Sequence, residues 1–117
     1  MKIILSILSV LLLACTTSKT EMPTEILSET AFANILKEVH LAKASFELNK
    51  SKGLEKAKNS FANSCQAIYT KYDVDTSTFS KSLDYYAKNP KILEAIYSIV
   101  LEQLTDERST LSQQETN

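Results

Sequence analysis

The chain has 117 residues, of which 44% are hydrophobic, and its formal net charge is −1. This length suits a single compact domain, and the near-neutral charge without a long basic run excludes the strongly basic face that nucleic-acid binding requires. Only one glycine and two prolines occur, and no stretch alternates between polar and apolar residues. The composition therefore predicts an all-α fold.

The first 14 residues have the pattern of a signal peptide. Lys2 provides the positive start, residues 3–13 are apolar apart from two serines, and Ala14 is the small residue that precedes a signal-peptidase cut. The apolar run is shorter than the roughly 20 residues that a membrane-spanning helix needs. We therefore predict export with removal of residues 1–14, and no transmembrane anchor.

Cys15 is the predicted site of lipid attachment. It follows Leu12-Leu13-Ala14, an arrangement that resembles the bacterial lipobox, and two or more acyl chains hold a protein stably at a bilayer. The alternative is plain secretion, with Cys15 as a free thiol. Because the polar segment 16–22 reaches at most about 25 Å, residues 15–22 form a short tether, and the helical domain, residues 23–108, lies close to its membrane.

Four helices are predicted from the spacing of apolar residues and from helix-capping residues. The apolar residues of the last helix cover more than half of its circumference, so we expect this helix to form the centre of a four-helix bundle. The predicted helices run from Ser28 or Thr30 to about Asn49, from Leu54 to about Tyr72, from Asp75 or Thr76 through Tyr86, and from an Asn89-Pro90 start to about Glu107.

Two further segments are predicted to interrupt or follow these helices. Ser51-Lys52-Gly53 contains the only glycine of the chain, and this is a suitable position for the left-handed residue that ends a helix. Residues 109–117 are polar and show no helical periodicity, so they are predicted to form a disordered tail.

The first helix carries a second, weaker apolar stripe on its back, formed by Leu41, Ala44 and Leu48. Either another part of the chain covers this stripe, or a partner protein does. We favour cover within the chain, since isolated exposed leucines are ordinary on folded domains. A partner surface at these three residues is the alternative.

No catalytic, cofactor-binding or metal-binding residues are predicted. His40 is the only histidine, and the positions three and four residues away from it hold no second metal ligand, so we expect it at the surface or boundary. Cys65 falls on the apolar stripe of the second helix and should pack as a small hydrophobic residue. No phosphate-binding glycine loop or Ser-His-Asp order is present, so we do not expect an enzyme.

The tyrosines leave a ligand-binding hypothesis open. A pocket for an apolar or carbohydrate ligand could be lined by Tyr69, Tyr85, Tyr86 and Tyr97. Their positions on or beside the core stripes favour packing with the hydroxyl at the rim. A cavity of about 300 Å³ or more between the helices would support the ligand-binding hypothesis.

A set of short segments carries a family resemblance: Pro23 with Ile26, residues 35–42, 69–72 and 79–90, and Ile96-Tyr97. Together they resemble the small Bacteroidetes envelope lipoproteins that share a domain of unknown function, number 4296. The resemblance is most specific over residues 79–90 and Ile96-Tyr97, and it implies an all-helical domain without any particular activity.

The same resemblance bears on localisation. By similarity to lipoprotein sorting, Thr16 after the lipidated cysteine implies the outer membrane. Residues 16–21 lack the acidic cluster with which some relatives are displayed on the cell surface, which favours the periplasmic face.

These features predict a lipid-anchored, non-catalytic lipoprotein of the cell envelope whose helical domain is a protein-interaction or accessory module. Its expected partners are the membrane, through lipidated Cys15, and an envelope protein, with no nucleic acid and no cofactor. The alternative is an envelope module that holds an apolar or carbohydrate ligand among its helices. The sequence leaves the oligomeric state open.

Overall fold

A computed structural model of the chain describes residues 23–116. In this part of the chain the backbone forms four α-helices and one short 3-10 helix, with no strand, which confirms the predicted all-α bundle. The predicted signal peptide, residues 1–14, and tether, residues 15–22, lie outside the described residues. In chain order the elements are α1 (Glu29–Asn49), the 3-10 helix Lys50–Lys52, α2 (Leu54–Lys71), α3 (Thr76–Ala87) and α4 (Pro90–Glu115).

Two of the helices begin with a side-chain cap at a predicted position. Ser28 caps α1, because its side chain accepts a hydrogen bond from the Ala31 amide at 3.2 Å. Asp75 caps α3 by accepting one from the Thr78 amide at 2.6 Å, and this hydrogen bond lowers the pKa of Asp75. The first amides of a helix have no partner within the helix, so each cap satisfies a donor that would otherwise stay unpaired.

Two other predicted boundaries have a different structural basis. Asn89 precedes α4 as predicted, but its side-chain amide donates to the Tyr85 carbonyl at 2.9 Å instead of capping α4. The left-handed conformation predicted for Gly53 is wrong, since its φ of 161° is extended. The reason is that Lys50–Lys52 continue α1 as a 3-10 turn and Gly53 already serves as the N-cap of α2. A left-handed backbone occurs instead at Asp73, with φ 52°.

The disordered tail predicted for residues 109–117 is wrong over residues 109–115, because α4 continues to Glu115. This stretch contains no glycine or proline, and leucine, glutamine and glutamate are good helix formers. The Thr110 hydroxyl also donates to the Asp106 carbonyl one turn earlier at 3.0 Å. Helix propensity, rather than apolar periodicity, therefore sustains the last turns of α4.

The centre of the bundle is α1, and not α4 as its wide apolar arc predicted. α1 packs along both α2 and α4, while α4 contacts α1 and, over a shorter length, α3. The first turns of α1 contribute Phe32 and Ala33, both 0% exposed, and Ile35, 1% exposed. The remaining core residues surround them: Leu36, Ile68, Phe79, Tyr86, Ile96 and Val100.

The segment before α1 is held against α3 through the backbone of Leu27. The Leu27 amide donates to Ser82 Oγ at 2.9 Å, and the Tyr86 hydroxyl donates to the Leu27 carbonyl at 2.6 Å. Ser82 and Tyr86 are 0% and 1% exposed, and an unsatisfied polar group in such a place costs about 1–3 kcal/mol. We call these three residues the Leu27 clamp.

Two of the three residues of the Leu27 clamp lie in the segment in which the family resemblance is most specific. Ser82 and Tyr86 both lie within residues 79–90, and Lys81 of the same segment forms an ion pair with Glu25 at 2.5 Å. The segment therefore fixes the start of the described chain to the buried side of α3, at the point where the predicted tether would join the domain.

Candidate functional site

The candidate interaction surface is the leucine face of α1, formed by Leu41, Ala44 and Leu48. Leu41 is 47% exposed and Leu48 is 76% exposed, and Ala44 is exposed as well. Cover by another part of the chain, the interpretation favoured from the sequence, is therefore wrong for residues 23–116. Apolar side chains at i, i+3 and i+7 on one helix are the arrangement with which an amphipathic helix contacts a partner groove.

One end of the leucine face lies beside a charged cluster that joins α1 to the end of α2. Lys71 Nζ and the Tyr72 hydroxyl each donate to Glu38 Oε1 at 2.6 Å. The hydrogen bond from Lys71 is the largest cause of the lowered pKa of Glu38, and the hydrogen bond from Tyr72 is the next largest. The same contacts raise the pKa of Lys71 and of Tyr72. A shallow, open depression beside this cluster is lined by Lys37, Glu38, Leu41, Ile68 and Glu107.

The other end of the leucine face lies near the hairpin between α1 and α2, where the contacts are aromatic and cationic. The Phe46 and Phe61 rings lie 5.8 Å apart, and Lys43 Nζ lies 4.5 Å from the centre of the Phe46 ring. The pKa of Glu47 is lowered mainly by the hydrogen bond from Lys50 and, to a smaller extent, by the hydrogen bond from Lys43. Because exposed ion pairs and cation–π contacts stabilise only weakly, this end of α1 is the less firmly held.

A cleft of about 220 Å³ opens between α1 and α2 near the hairpin. Its apolar lining comes from two alanines and from Phe46 and Phe61, and its polar lining from serines, Asn49 and two lysines. The cleft is smaller than the roughly 300 Å³ at which small-molecule sites usually begin. None of the four tyrosines considered from the sequence lines it.

The four tyrosines do not converge on one pocket in the described part of the chain. The Tyr69 ring lies 5.4 Å from a core phenylalanine, Tyr86 is buried in the Leu27 clamp, and Tyr85 lies edge-on to Tyr86. Tyr97 is 40% exposed on α4. Burial raises the pKa of both Tyr69 and Tyr86. The first three pack as core and boundary side chains, and no shared surface for a ligand results.

His40 and Cys65 lie on different helices and have different surroundings. His40 is exposed, and its ring lies 5.8 Å from that of Tyr97. Cys65 is half-buried, and burial raises the pKa of its thiol, which reduces the fraction of reactive thiolate. Between residues 23 and 116, no three His, Cys, Asp or Glu side chains are grouped so that they could hold a metal ion.

Cys15, the predicted lipid attachment site, lies outside the described residues. Its lipidation therefore stays a prediction. Among the helices formed by residues 23–116, none combines the length and apolar character needed to cross a bilayer.

Several contacts that shape this surface have no signal in the sequence. Glu38 meets Lys71 and Tyr72, which are 33 and 34 residues away, and Asn34 accepts a hydrogen bond from Gln103, 69 residues away, at 2.8 Å. Helical spacing identifies each helix and its apolar side. It does not determine how far one helix is rotated or shifted against another, and that arrangement decides which polar side chains meet.

Four helices with α1 at their centre, and no strand in residues 23–116, define a small all-α bundle in which α1 exposes its leucine face. A family described as Domain of unknown function (DUF4296) matches residues 23–110. This match spans more than half of the sequence, and the protein therefore belongs to the DUF4296 family, which confirms the resemblance to this domain. Comparison with curated proteins gave no match, and comparison with solved structures gave none either.

Proposed function

We propose that this protein is a lipid-anchored, non-catalytic lipoprotein of the cell envelope, and that its helical domain is a protein-interaction module. The observation that carries the proposal is the leucine face of α1, in which Leu48 is 76% exposed and Leu41 47% exposed. The first half of the same helix contributes Phe32, Ala33, Ile35 and Leu36 to the buried core. Apolar surface of this kind gains roughly 25 cal/mol per Å² when a partner covers it.

The anchoring part of the proposal rests on the sequence. The apolar residues 3–13 followed by Ala14 and Cys15 have the order of a lipoprotein signal, and acyl chains on Cys15 would hold the domain at a bilayer. We further propose a Bacteroidetes envelope and an outer-membrane location facing the periplasm, following the sorting pattern implied by Thr16.

Membrane fractionation tests the anchor. We expect Cys15→Ser to move the full chain from the membrane to the soluble fraction. The matched control is Cys65→Ser, which changes the other cysteine of the chain and should leave the protein membrane-bound. Mass spectrometry of the wild-type protein should show an acylated peptide that begins at Cys15. Retention of the Cys15→Ser variant at the membrane would contradict an anchor at this residue.

Site-specific photo-crosslinking in intact cells tests the interaction module. A crosslinker in place of Leu48 should give a discrete product of higher mass, and Leu41→Asp in the same chain should abolish it. The control position is Leu83, which is 39% exposed on α3 and lies outside the leucine face. No product from position 48, or the same product from both positions, would contradict an interaction surface on α1.

A further inference from the structure

A second exposed row of side chains lies on α4 and is centred on Leu101. Leu101 is 64% exposed, and Tyr97, about one turn earlier, is 40% exposed. Glu94 and Arg108 lie within about 20° of Leu101 around the helix axis, because seven residues nearly complete two turns. The buried residues of α4 are turned by about 100° or more from this direction. The row therefore faces outward from the described bundle.

The charges in this row are placed symmetrically and have opposite signs. Glu94 lies seven residues before Leu101, and Arg108 lies seven residues after it. Both are exposed, and none of the ion pairs within residues 23–116 involves either side chain. A helix face with an apolar centre and opposite charges at equal distances is complementary to a copy of itself turned end to end.

We propose that two copies of this protein pair through α4 as an antiparallel dimer whose two-fold axis passes beside Leu101. In this dimer Leu101 packs against Leu101 of the second copy, and each Glu94 faces Arg108 of the other copy. Tyr97 lies opposite Thr105. A parallel pair would place Glu94 against Glu94 and Arg108 against Arg108, and like charges at close range repel. Charge therefore selects the antiparallel arrangement.

The length of α4 supports the same partner. Every residue from Thr105 to Glu115 is exposed, so roughly three turns of this helix gain little cover from the bundle. A second α4 alongside would contact the side of this segment that carries Thr105 and Arg108, both of which are exposed.

The dimer involves α4 rather than the leucine face of α1 or Cys15. It goes beyond the proposed function, and its experiments can fail or succeed independently of that function.

Disulfide crosslinking in cells that express the full chain with Cys65→Ala tests the geometry. Leu101→Cys should form a disulfide-linked dimer on mild oxidation, because the two-fold axis brings this residue to its own copy. Asp106→Cys is the matched control, since it is exposed on the same helix but turned by about 140° from Leu101. The Cys65→Ala chain without an added cysteine gives the baseline. Equal crosslinking from positions 101 and 106 would overturn the proposal.

The direction of the pairing is tested with two co-expressed, differently tagged copies. One copy carries Glu94→Cys and the other Arg108→Cys, and we expect a mixed disulfide between them. Neither variant expressed alone should crosslink beyond the baseline. A disulfide between two Glu94→Cys copies would indicate a parallel pair and overturn the proposal.

Charge reversal provides a readout that needs no cysteine. Glu94→Arg places like charges together twice in each dimer and should weaken association on the order of tenfold, measured by sedimentation of the detergent-solubilised full chain. Adding Arg108→Glu restores opposite charges, so the double variant should associate like the wild type. Circular dichroism checks that each variant stays folded. A monomeric wild type, or a double variant as weak as Glu94→Arg, would overturn the proposal.

Discussion

The two halves of α1 differ in what surrounds them. The first half contains four side chains that are at most 4% exposed: Phe32, Ala33, Ile35 and Leu36. The second half, from His40 to Asn49, contains no buried residue and exposes Leu41 and Leu48. Both halves belong to one continuous helix, so local structure does not explain the difference. Their neighbours do, because residues from all four helices gather around the first half, whereas the Phe46–Phe61 pair joins the second half to α2.

This comparison separates a buried first half of α1 from a second half that carries the proposed interaction surface. The first half stabilises the fold, because it buries apolar surface from which water is excluded. The second half presents apolar surface that the described chain does not cover. Substitutions in the first half should therefore change the free energy of unfolding, and substitutions in the second half should change partner binding.

The largest loss of stability is expected from Phe32→Ala. Phe32 is 0% exposed, and its ring lies 5.4 Å from that of Phe79 and 5.0 Å from that of Tyr86. Truncation removes this packing and leaves a cavity, so the free energy of unfolding should fall by about 3–5 kcal/mol, measured by urea denaturation with circular dichroism. The matched control is Phe46→Ala in the second half, for which we expect about 1 kcal/mol. Equal losses of stability from Phe32→Ala and Phe46→Ala would contradict the difference between the two halves of α1.

A smaller loss is expected from Tyr86→Phe. This change removes the hydroxyl that donates to the Leu27 carbonyl and leaves a partly buried acceptor without that donor, which should lower the free energy of unfolding by about 1–3 kcal/mol. Thermal denaturation measures the loss. Tyr85→Phe is the control, because the half-buried Tyr85 is a neighbour on the same helix outside the Leu27 clamp, and we expect a change below about 0.5 kcal/mol. Similar losses for both variants would show that the clamp does not stabilise the fold.

A still smaller loss of stability, which depends on pH, is expected from Glu38→Gln. The hydrogen bonds from Lys71 and Tyr72 lower the pKa of Glu38 in the folded state. The carboxylate therefore contributes stability that is fully present above the ordinary glutamate pKa of about 4.3 and is lost as the pH falls through the lowered folded-state value. Water screens these contacts, so the variant should lose less than about 1 kcal/mol at neutral pH.

Thermal denaturation over a range of pH checks this prediction. The difference in stability between Glu38→Gln and the wild type should shrink as the pH is lowered below the ordinary glutamate pKa. Glu102→Gln, at an exposed glutamate of α4, should follow the wild type throughout. A difference that grows on acidification would have the wrong sign for a lowered pKa of Glu38.

The smallest change in stability is expected from Leu48→Asp in the leucine face. Because Leu48 is 76% exposed, the free energy of unfolding should change by no more than about 0.5 kcal/mol. Capture of the proposed partner should nevertheless be lost, because a charge would enter an apolar contact. Urea denaturation and in-cell crosslinking measure the two effects separately, and Leu83→Asp on α3 is the control. An unfolded Leu48→Asp variant would place this residue in the core.

The elements of the fold could be predicted because their causes are local. Ser28 and Asp75 accept hydrogen bonds from amides three residues later, so both helix starts can be recognised within a few residues of sequence. The extension of α4 to Glu115 was missed for the opposite reason. Its exposed residues are held by helix propensity and show neither apolar spacing nor a capping residue that would mark its end.

The arrangement of the helices could not be predicted from the same patterns. Apolar spacing shows that a side chain avoids water, but it does not show which surface covers it. Ile96 and Leu101 both belong to the apolar arc of α4, yet one is 0% and the other 64% exposed. For the same reason, Leu41 and Leu48 were expected to be covered within the chain. Contacts between residues far apart in sequence decide these cases.

The Leu27 clamp has a mechanical consequence if the domain is held at its N-terminal end, as proposed. Side chains of α3 form hydrogen bonds with both the amide and the carbonyl of Leu27. Tension applied upstream of Pro23 is therefore transmitted into α3 at the interior of the bundle before it loads α1. The hairpin lies at the far end of α1, so in the proposed anchored protein a pull on the tether would load the Leu27 clamp before it reached the surface that a partner would touch.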